Sequence, residues 1–222
     1  MKLQALIFDW DGTIQDSMPE QYKGCCAVFN AAGIAPPSLE YFCQTLSMPF
    51  ADWFISRGVT CFTDEERTRI FRSATNKEKC PLFPEAKEQL GIMRLNKVKL
   101  GIVTSARWPI INKLIEVHGL QGLFEAVTCE AAHKAEAIKQ MCLSFAVPLD
   151  SALYVGDLTS DIRDGREAGV RTIAFLGSMG IPESFNDVKP DHCVKSFREL
   201  AELVLGESSP YVLSSTPSQS YD

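Results

Sequence analysis

Two hydrophobic rhythms alternate along the chain. Short continuous apolar runs read as buried strands, and longer stretches with apolar residues three and four apart read as amphipathic helices. The strand candidates are Leu6-Ile7-Phe8, Val98 to Val103, Ala126 to Cys129, Ala152 to Val155, Thr172 to Phe175 and a weaker His192 to Val194. Helical patterns fill the gaps: Pro84 to about Asn96, Pro109 to about His118, Ala132 to Phe145, Thr159 to Ala168 and Ser196 to Leu205. Such alternation predicts an α/β fold, a parallel sheet with helices on both faces. Sheets of this kind receive their ligands at the carboxyl ends of the strands.

One stretch breaks the alternation. From residue 16 to 79 there is no strand candidate. Asp16-Ser17 reads as the N-cap of a helix carrying Tyr22, Cys25, Cys26, Phe29 and Ala32, which ends at Gly33. Ser38 starts a short helix to Leu46; Ser47-Met48-Pro49 breaks it, and a second short one covers Phe50 to Arg57. Thr63 and Glu66 have capping-box spacing and open a helix expected to run to about Lys79. Phe50, Trp53 and Phe54 share a face and read as the core of this piece. The expected organisation is therefore a core of residues 1–15 and 80–206, an all-α insertion at 16–79, and a Ser- and Pro-rich tail at 207–222 with little to bury.

Composition narrows the classes. With 222 residues, 45% hydrophobic and 23% charged, the chain reads as an ordinary globular protein. Its 22 basic against 28 acidic residues leave a charge of −6, which argues against a nucleic-acid partner. No apolar run reaches membrane-spanning length, and Met1 to Leu6 lacks a signal-peptide core, so no membrane association is expected. Eight scattered cysteines without C-x-x-C spacing point to reduced thiols in the cytoplasm.

The chemistry gathers at the strand ends. The first strand runs into Asp9 and Asp11, the second into Thr104 and Ser105, the fourth into Gly156-Asp157, with Asp161 one helical turn on. Lys134 lies near the start of the helix after the third strand. Crowded carboxylates raise one another's pKa unless a cation compensates. A hard divalent ion held by carboxylates and sharing a substrate phosphate fits Mg²⁺. A carboxylate attacking phosphorus needs its charge and that of the phosphate neutralised, which the ion and Lys134 would do. The inferred class is metal-assisted phosphoryl transfer.

These motifs carry a resemblance. Asp9-Trp10-Asp11-Gly12-Thr13 resembles the first motif of the haloacid dehalogenase (HAD) superfamily. The run Gly156 to Gly169 is similar to its last, G-D-x-x-x-D-x-x-x-G-x-x-A-G, while Thr104 and Lys134 match its hydroxyl and lysine positions. The resemblance spans about residues 3–204 and is nearest the phosphoglycolate phosphatase-like and β-phosphoglucomutase-like group. It implies a Rossmann-like core with a helical cap after the first strand, and a phosphatase acting on a small phosphorylated metabolite through an aspartyl-phosphate. It further implies Asp9 as nucleophile and Asp11 as general acid and base; Thr104, Ser105 and Lys134 as phosphoryl-binding; and Asp9, Asp11 (through its carbonyl), Asp157 and Asp161 around Mg²⁺. Arg107 also follows the hydroxyl motif and is placed to reach a substrate anion.

Two positions depart from the pattern: Lys134-Ala135-Glu136-Ala137 replaces K-P-x-P, and Leu158 stands where a small hydroxyl residue is common. The dehalogenase branch lacks a second acid equivalent to Asp11, and the phosphonate-cleaving branch needs a cap lysine, absent between Lys23 and Lys77. A phosphomutase and a catalytically silent binding protein are the alternatives, the second disfavoured because Asp9, Asp11 and Asp157 are all present. Ser47-Met48-Pro49 sits where related caps send a specificity loop toward the site.

Overall fold

A computed structural model describes residues 3–177 and 185–206; the expected tail at 207–222 lies outside the described residues. Six strands form one parallel sheet: β1 (Ala5–Phe8), β2 (Lys99–Val103), β3 (Ala126–Thr128), β4 (Ala152–Gly156), β5 (Arg171–Phe175) and β6 (His192–Val194), in the order β3-β2-β1-β4-β5-β6. β1 is central, with Phe8 level with Ile102 of β2 and Val155 of β4. Every β1 residue is fully buried, because both faces of a parallel sheet are covered. That is why its sequence is a continuous apolar run.

Alternate side chains enter two cores. Leu6, Phe8, Leu100, Ile102, Leu153 and Val155 face α5 (Ala86–Leu95), α6 (Trp108–Val117) and α9 (Phe197–Leu205), meeting Leu90, Ile111 and Leu200. Ala5, Ile7, Val103 and Tyr154 face the opposite layer, where α7 (Ala135–Ser144) contributes Ile138 and Met141 and α8 (Thr159–Ala168) contributes Ala168.

Along the chain, four helices follow β1 before α5: α1 (Met18–Ala31), α2 (Leu39–Thr45), α3 (Phe50–Ile55) and α4 (Asp64–Ala74). They surround a separate apolar cluster in which Phe29, Phe42 and Phe50 stack on or abut Trp53.

The last of these helices is shorter than the run to about Lys79 expected from the sequence. α4 ends at Ala74; Thr75 is extended, and Lys77–Lys79 form a separate 3-10 turn. Lys77 to Lys79 offers no apolar residue to the cluster, and the Glu20 carboxylate accepts from the Asn76 N–H at 2.6 Å, satisfying a backbone donor outside the helix. Ser17 also departs from its expected role. It precedes α1 but its side chain makes no capping bond.

Candidate active site

β1 delivers Asp9 directly to the carboxyl edge of the sheet, where the Asp9 N–H still donates to Val155 O at 2.9 Å. The chain then coils tightly, with the N–H groups of Ile14 and Gln15 both donating to Trp10 O. Gly12 is required in this coil. Its φ is +76°, and a β-carbon there would lie 2.2 Å from Asp157 Oδ2. The Thr13 hydroxyl donates to Asp157 Oδ1 at 3.2 Å, so the first motif and the last are tied side chain to side chain.

Lys134 stands between two acids. Its Nζ is 3.0 Å from Asp9 Oδ1 and 2.7 Å from Asp161 Oδ1, and all three side chains are buried. Burial alone would pull the ammonium's pKa down; the charges of Asp161 and Asp9 outweigh it and hold it well above the ordinary lysine value. The Lys134 backbone is fixed as well, its N–H donating to Asp164 Oδ2 at 3.0 Å. The missing K-P-x-P prolines therefore do not displace the lysine.

Asp161 is held on both oxygens. Oδ1 accepts from Lys134, and Oδ2 accepts the Leu158 N–H at 3.0 Å at the start of α8. Gly156 makes room for it, since a β-carbon there would lie 2.4 Å from Asp161 Cβ. Asp11 is held differently: Oδ1 accepts from the Ser17 hydroxyl at 2.7 Å, and Oδ2 pairs with Lys77 Nζ at 2.6 Å. Thr104 is buried at the end of β2, its N–H donating to Thr128 O and its hydroxyl oxygen accepting from Ala106 N–H at 3.2 Å. Ser105 is less buried and lines the cavity beyond.

Three carboxylates, Asp9, Asp157 and Asp161, bring ligand atoms within 4.8 Å of one another, a group able to hold a metal ion. Their electrostatics favour one. Burial, then the negative charges of Asp161 and Asp11, push Asp9 from 3.8 up to about 6 against the pull of Lys134. Burial, then Asp161 and Asp9, raise Asp157 well above its ordinary value. Asp9 Oδ1 is buried with no hydrogen-bond donor, its lysine neighbour being an ion-pair contact only. One buried ammonium does not offset three crowded carboxylates, and a hard cation would remove the remaining cost.

Above the site lies a cavity of about 850 Å³. Asp9, Asp11, Lys134 and Asp157 line its floor, with Ser105 and Arg107 beside them; Met48, Pro49, Phe50 and Phe54 come from the inserted helices, as does the α4 face. Trp53 stays buried in the helical cluster and is not part of the lining. Leu158 lines the cavity and packs against the helical cluster, so the apolar residue at this hydroxyl position is a contact between the two layers of the molecule.

The family profile described as haloacid dehalogenase-like hydrolase matches residues 6–175. The chain belongs to that family. Among relatives, the putative pyrophosphatase PpaX of Clostridium perfringens is 23% identical over 210 residues, covering 91% of this chain and 97% of that protein. A phosphoglycolate phosphatase of Synechococcus elongatus is 24% identical over 208 residues, with 91% and 97% covered. The fold is also that of a predicted phosphatase from Clostridium acetobutylicum, at TM-score 0.77 and 19% identity over 92% of this chain and 99% of that one. The hydrolase class expected from the motifs is thereby established, as is the parallel α/β fold. No helix among the described residues is long and apolar enough to cross a membrane.

Three residues at the site carry no motif: Ser17, Lys77 and Gln15. The Gln15 side chain accepts from Trp10 Nε1 at 3.0 Å and donates to Lys77 O at 2.8 Å and Cys80 O at 3.0 Å. The same amide nitrogen lies 3.1 Å from His118 Nε2, and burial holds His118 below its ordinary pKa.

Proposed function

We propose that the chain is a Mg²⁺-dependent phosphatase that hydrolyses a small phosphate monoester through a phosphoryl group carried on Asp9. One observation carries the reading: a buried, lysine-paired Asp9 at the end of the central strand, within ligand reach of Asp157 and Asp161, opens onto a cavity. The names of the Synechococcus and Clostridium relatives support phosphate ester or pyrophosphate chemistry. Residues 16–79 act as the cap that selects the substrate, over a core of 1–15 and 80–206. Eight unpaired cysteines fit a cytoplasmic setting.

In this mechanism an Asp9 oxygen attacks phosphorus and the bond to the leaving oxygen breaks. Asp11, protonated, gives its proton to that oxygen. Asp11, now a carboxylate, takes a proton from water, whose oxygen attacks the phosphorus and returns the Asp9 carboxylate. The Ser17 hydroxyl on Asp11 Oδ1 and Lys77 Nζ on Oδ2 fix the orientation of the carboxyl group for both steps. Lys134, Thr104 and Ser105 bind the phosphoryl oxygens, and Lys134 also offsets the charge of Asp9. Asp9, Asp157, Asp161 and the Asp11 carbonyl would hold the Mg²⁺, directly or through water; when bound, it neutralises charge on the phosphoryl oxygens.

Phosphate release from a panel of esters, with and without Mg²⁺, tests the reading. Wild type is expected to release phosphate only with the metal, and Asp11→Asn to lose roughly 10²–10⁴-fold in kcat. An inert wild type, or an Asp9→Asn variant as active as wild type, contradicts it. Isomerised sugar phosphate without net release would make the protein a mutase instead.

A further inference from the structure

Part of the cavity wall is apolar and only half covered. Met48 comes from the turn between α2 and α3, Phe50 from α3, Phe71 from α4 and Leu158 from the core. All four are half-buried, so each keeps apolar surface open where it lines the cavity. Phe50 is held firmly in this position. Its ring centroid lies 4.9 Å from that of Phe54, 5.4 Å from Phe71 and 5.9 Å from Trp53. The aromatic cluster of the inserted helices therefore does not close on itself; it turns ring surface toward the active site, where contact with water is unfavourable.

Leu158 carries this wall to the reacting centre. It directly follows Asp157, which brings a carboxylate oxygen within 4.8 Å of ligand atoms on Asp9 and Asp161. Like Phe50 and Phe71, it packs against the buried cluster of the inserted helices. None of these four side chains has an N–H or O–H to donate. A polar substituent pressed against them would lose its water without replacement, whereas a methylene or a ring would gain from leaving water. Thr68 and Arg72, which α4 also turns to the cavity, are exposed and stay hydrated. The cavity, about 850 Å³, has the volume of sites that take ligands well beyond a two-carbon alcohol.

We infer that Met48, Phe50, Phe71 and Leu158 form an apolar subsite for the leaving group, and that the substrate is a phosphate monoester of an alcohol with an apolar body, an alkyl chain or an aromatic ring. This rests on the phosphatase reading, since the reacting phosphoryl is placed at Asp9. Leu158 thereby sets specificity as well as joining the two layers: with a leucine at the hydroxyl position, the first atoms beyond the ester oxygen meet hydrocarbon.

The test uses n-alkyl phosphates from methyl to hexyl, benzyl phosphate, and esters of matched length ending in a hydroxyl or a carboxylate. Benzyl alcohol is about as poor a leaving group as an alkyl alcohol, so differences report the subsite. Binding to Asp9→Asn protein with Mg²⁺ is measured by calorimetry, and kcat/KM by phosphate release from wild type. Each added methylene is expected to tighten binding about three- to fourfold until the wall is covered, and benzyl phosphate to bind on the order of tenfold or more tighter than the hydroxyl-ended ester. Comparison of the hexyl and benzyl esters decides between chain and ring. The dependence on chain length is expected to flatten in Leu158→Asn and Met48→Gln and to persist in Leu158→Met. A loosened joint would weaken all esters alike and leave that slope unchanged, and melting curves confirm that each variant folds. Binding that does not rise with chain length, tighter binding of hydroxyl- or carboxylate-ended esters, or a slope that outlasts both polar substitutions overturns the inference. Phosphate release with no apolar preference removes this inference and leaves the phosphatase; an apolar preference in binding without phosphate release from any ester keeps the subsite and removes the phosphatase.

Discussion

Asp9 is a carboxylate whose surroundings resist its ionisation. Folded, it titrates at about 6 against 3.8 in an unconstrained chain. The folded protein therefore holds this proton more tightly, and the contribution of Asp9 to stability is fully present below 3.8 and lost as pH rises through about 6. A cation bound to the ionised group reverses that loss and must displace the proton to do so. The expected outcome is that Mg²⁺ raises the melting temperature more at about pH 7.5 than at about pH 5, where the proton competes. Equal shifts at the two values would detach Asp9 from the metal. The motif acids were legible because their chemistry leaves few explanations for acids at the end of a buried strand. Ser17 and Lys77 were not. Lys77 meets Asp11 only because the chain leaves α4 at Ala74 and turns through Lys77–Lys79, a break that neither Gly nor Pro announces.

At the scale of the element, α4 shows both sides of this. Its start was legible: the Thr63 hydroxyl accepts the Glu66 N–H and the Glu66 carboxylate accepts the Thr63 N–H, closing a capping box with three acids in the first turn. Thr63→Ala is expected to lower the melting temperature by about 2–4 °C, read by calorimetry; an unchanged melt would mean that packing alone holds this end. The strands were equally readable, since a run such as Leu100 to Val103 fits neither an exposed strand nor an amphipathic helix. Helix ends were less so. α7 begins at Ala135 rather than Ala132, because Lys134 occupies the N-cap position with its N–H spent on Asp164 rather than in a preceding turn.

For the whole molecule, the joint between core and inserted helices depends on Gln15. One buried amide accepts from the Trp10 indole and donates to two carbonyls of the return segment at Lys77 and Cys80, with the ring of His118 beside it. These partners are distant in sequence, and glutamine has no pattern that announces such a role. Gln15→Ala leaves several buried polar groups unpaired, each costing about 1–3 kcal/mol. The expected result is a melting temperature lower by several degrees, about 2–4 °C for each kcal/mol lost, together with a changed kcat/KM because Lys77 is no longer held over Asp11. Unchanged stability would show that the joint rests on the Leu158 contact instead.

The central claim is that Asp9 carries the phosphoryl group between two steps. Its most direct test is mass spectrometry of protein quenched in acid during turnover with Mg²⁺, using Asp11→Asn to slow release. A phosphoryl group on the peptide that contains Asp9, absent in Asp9→Asn, is the predicted result. Phosphate released steadily with no phosphorylated Asp9 at any quench time would mean that water attacks the substrate directly, and would contradict the mechanism.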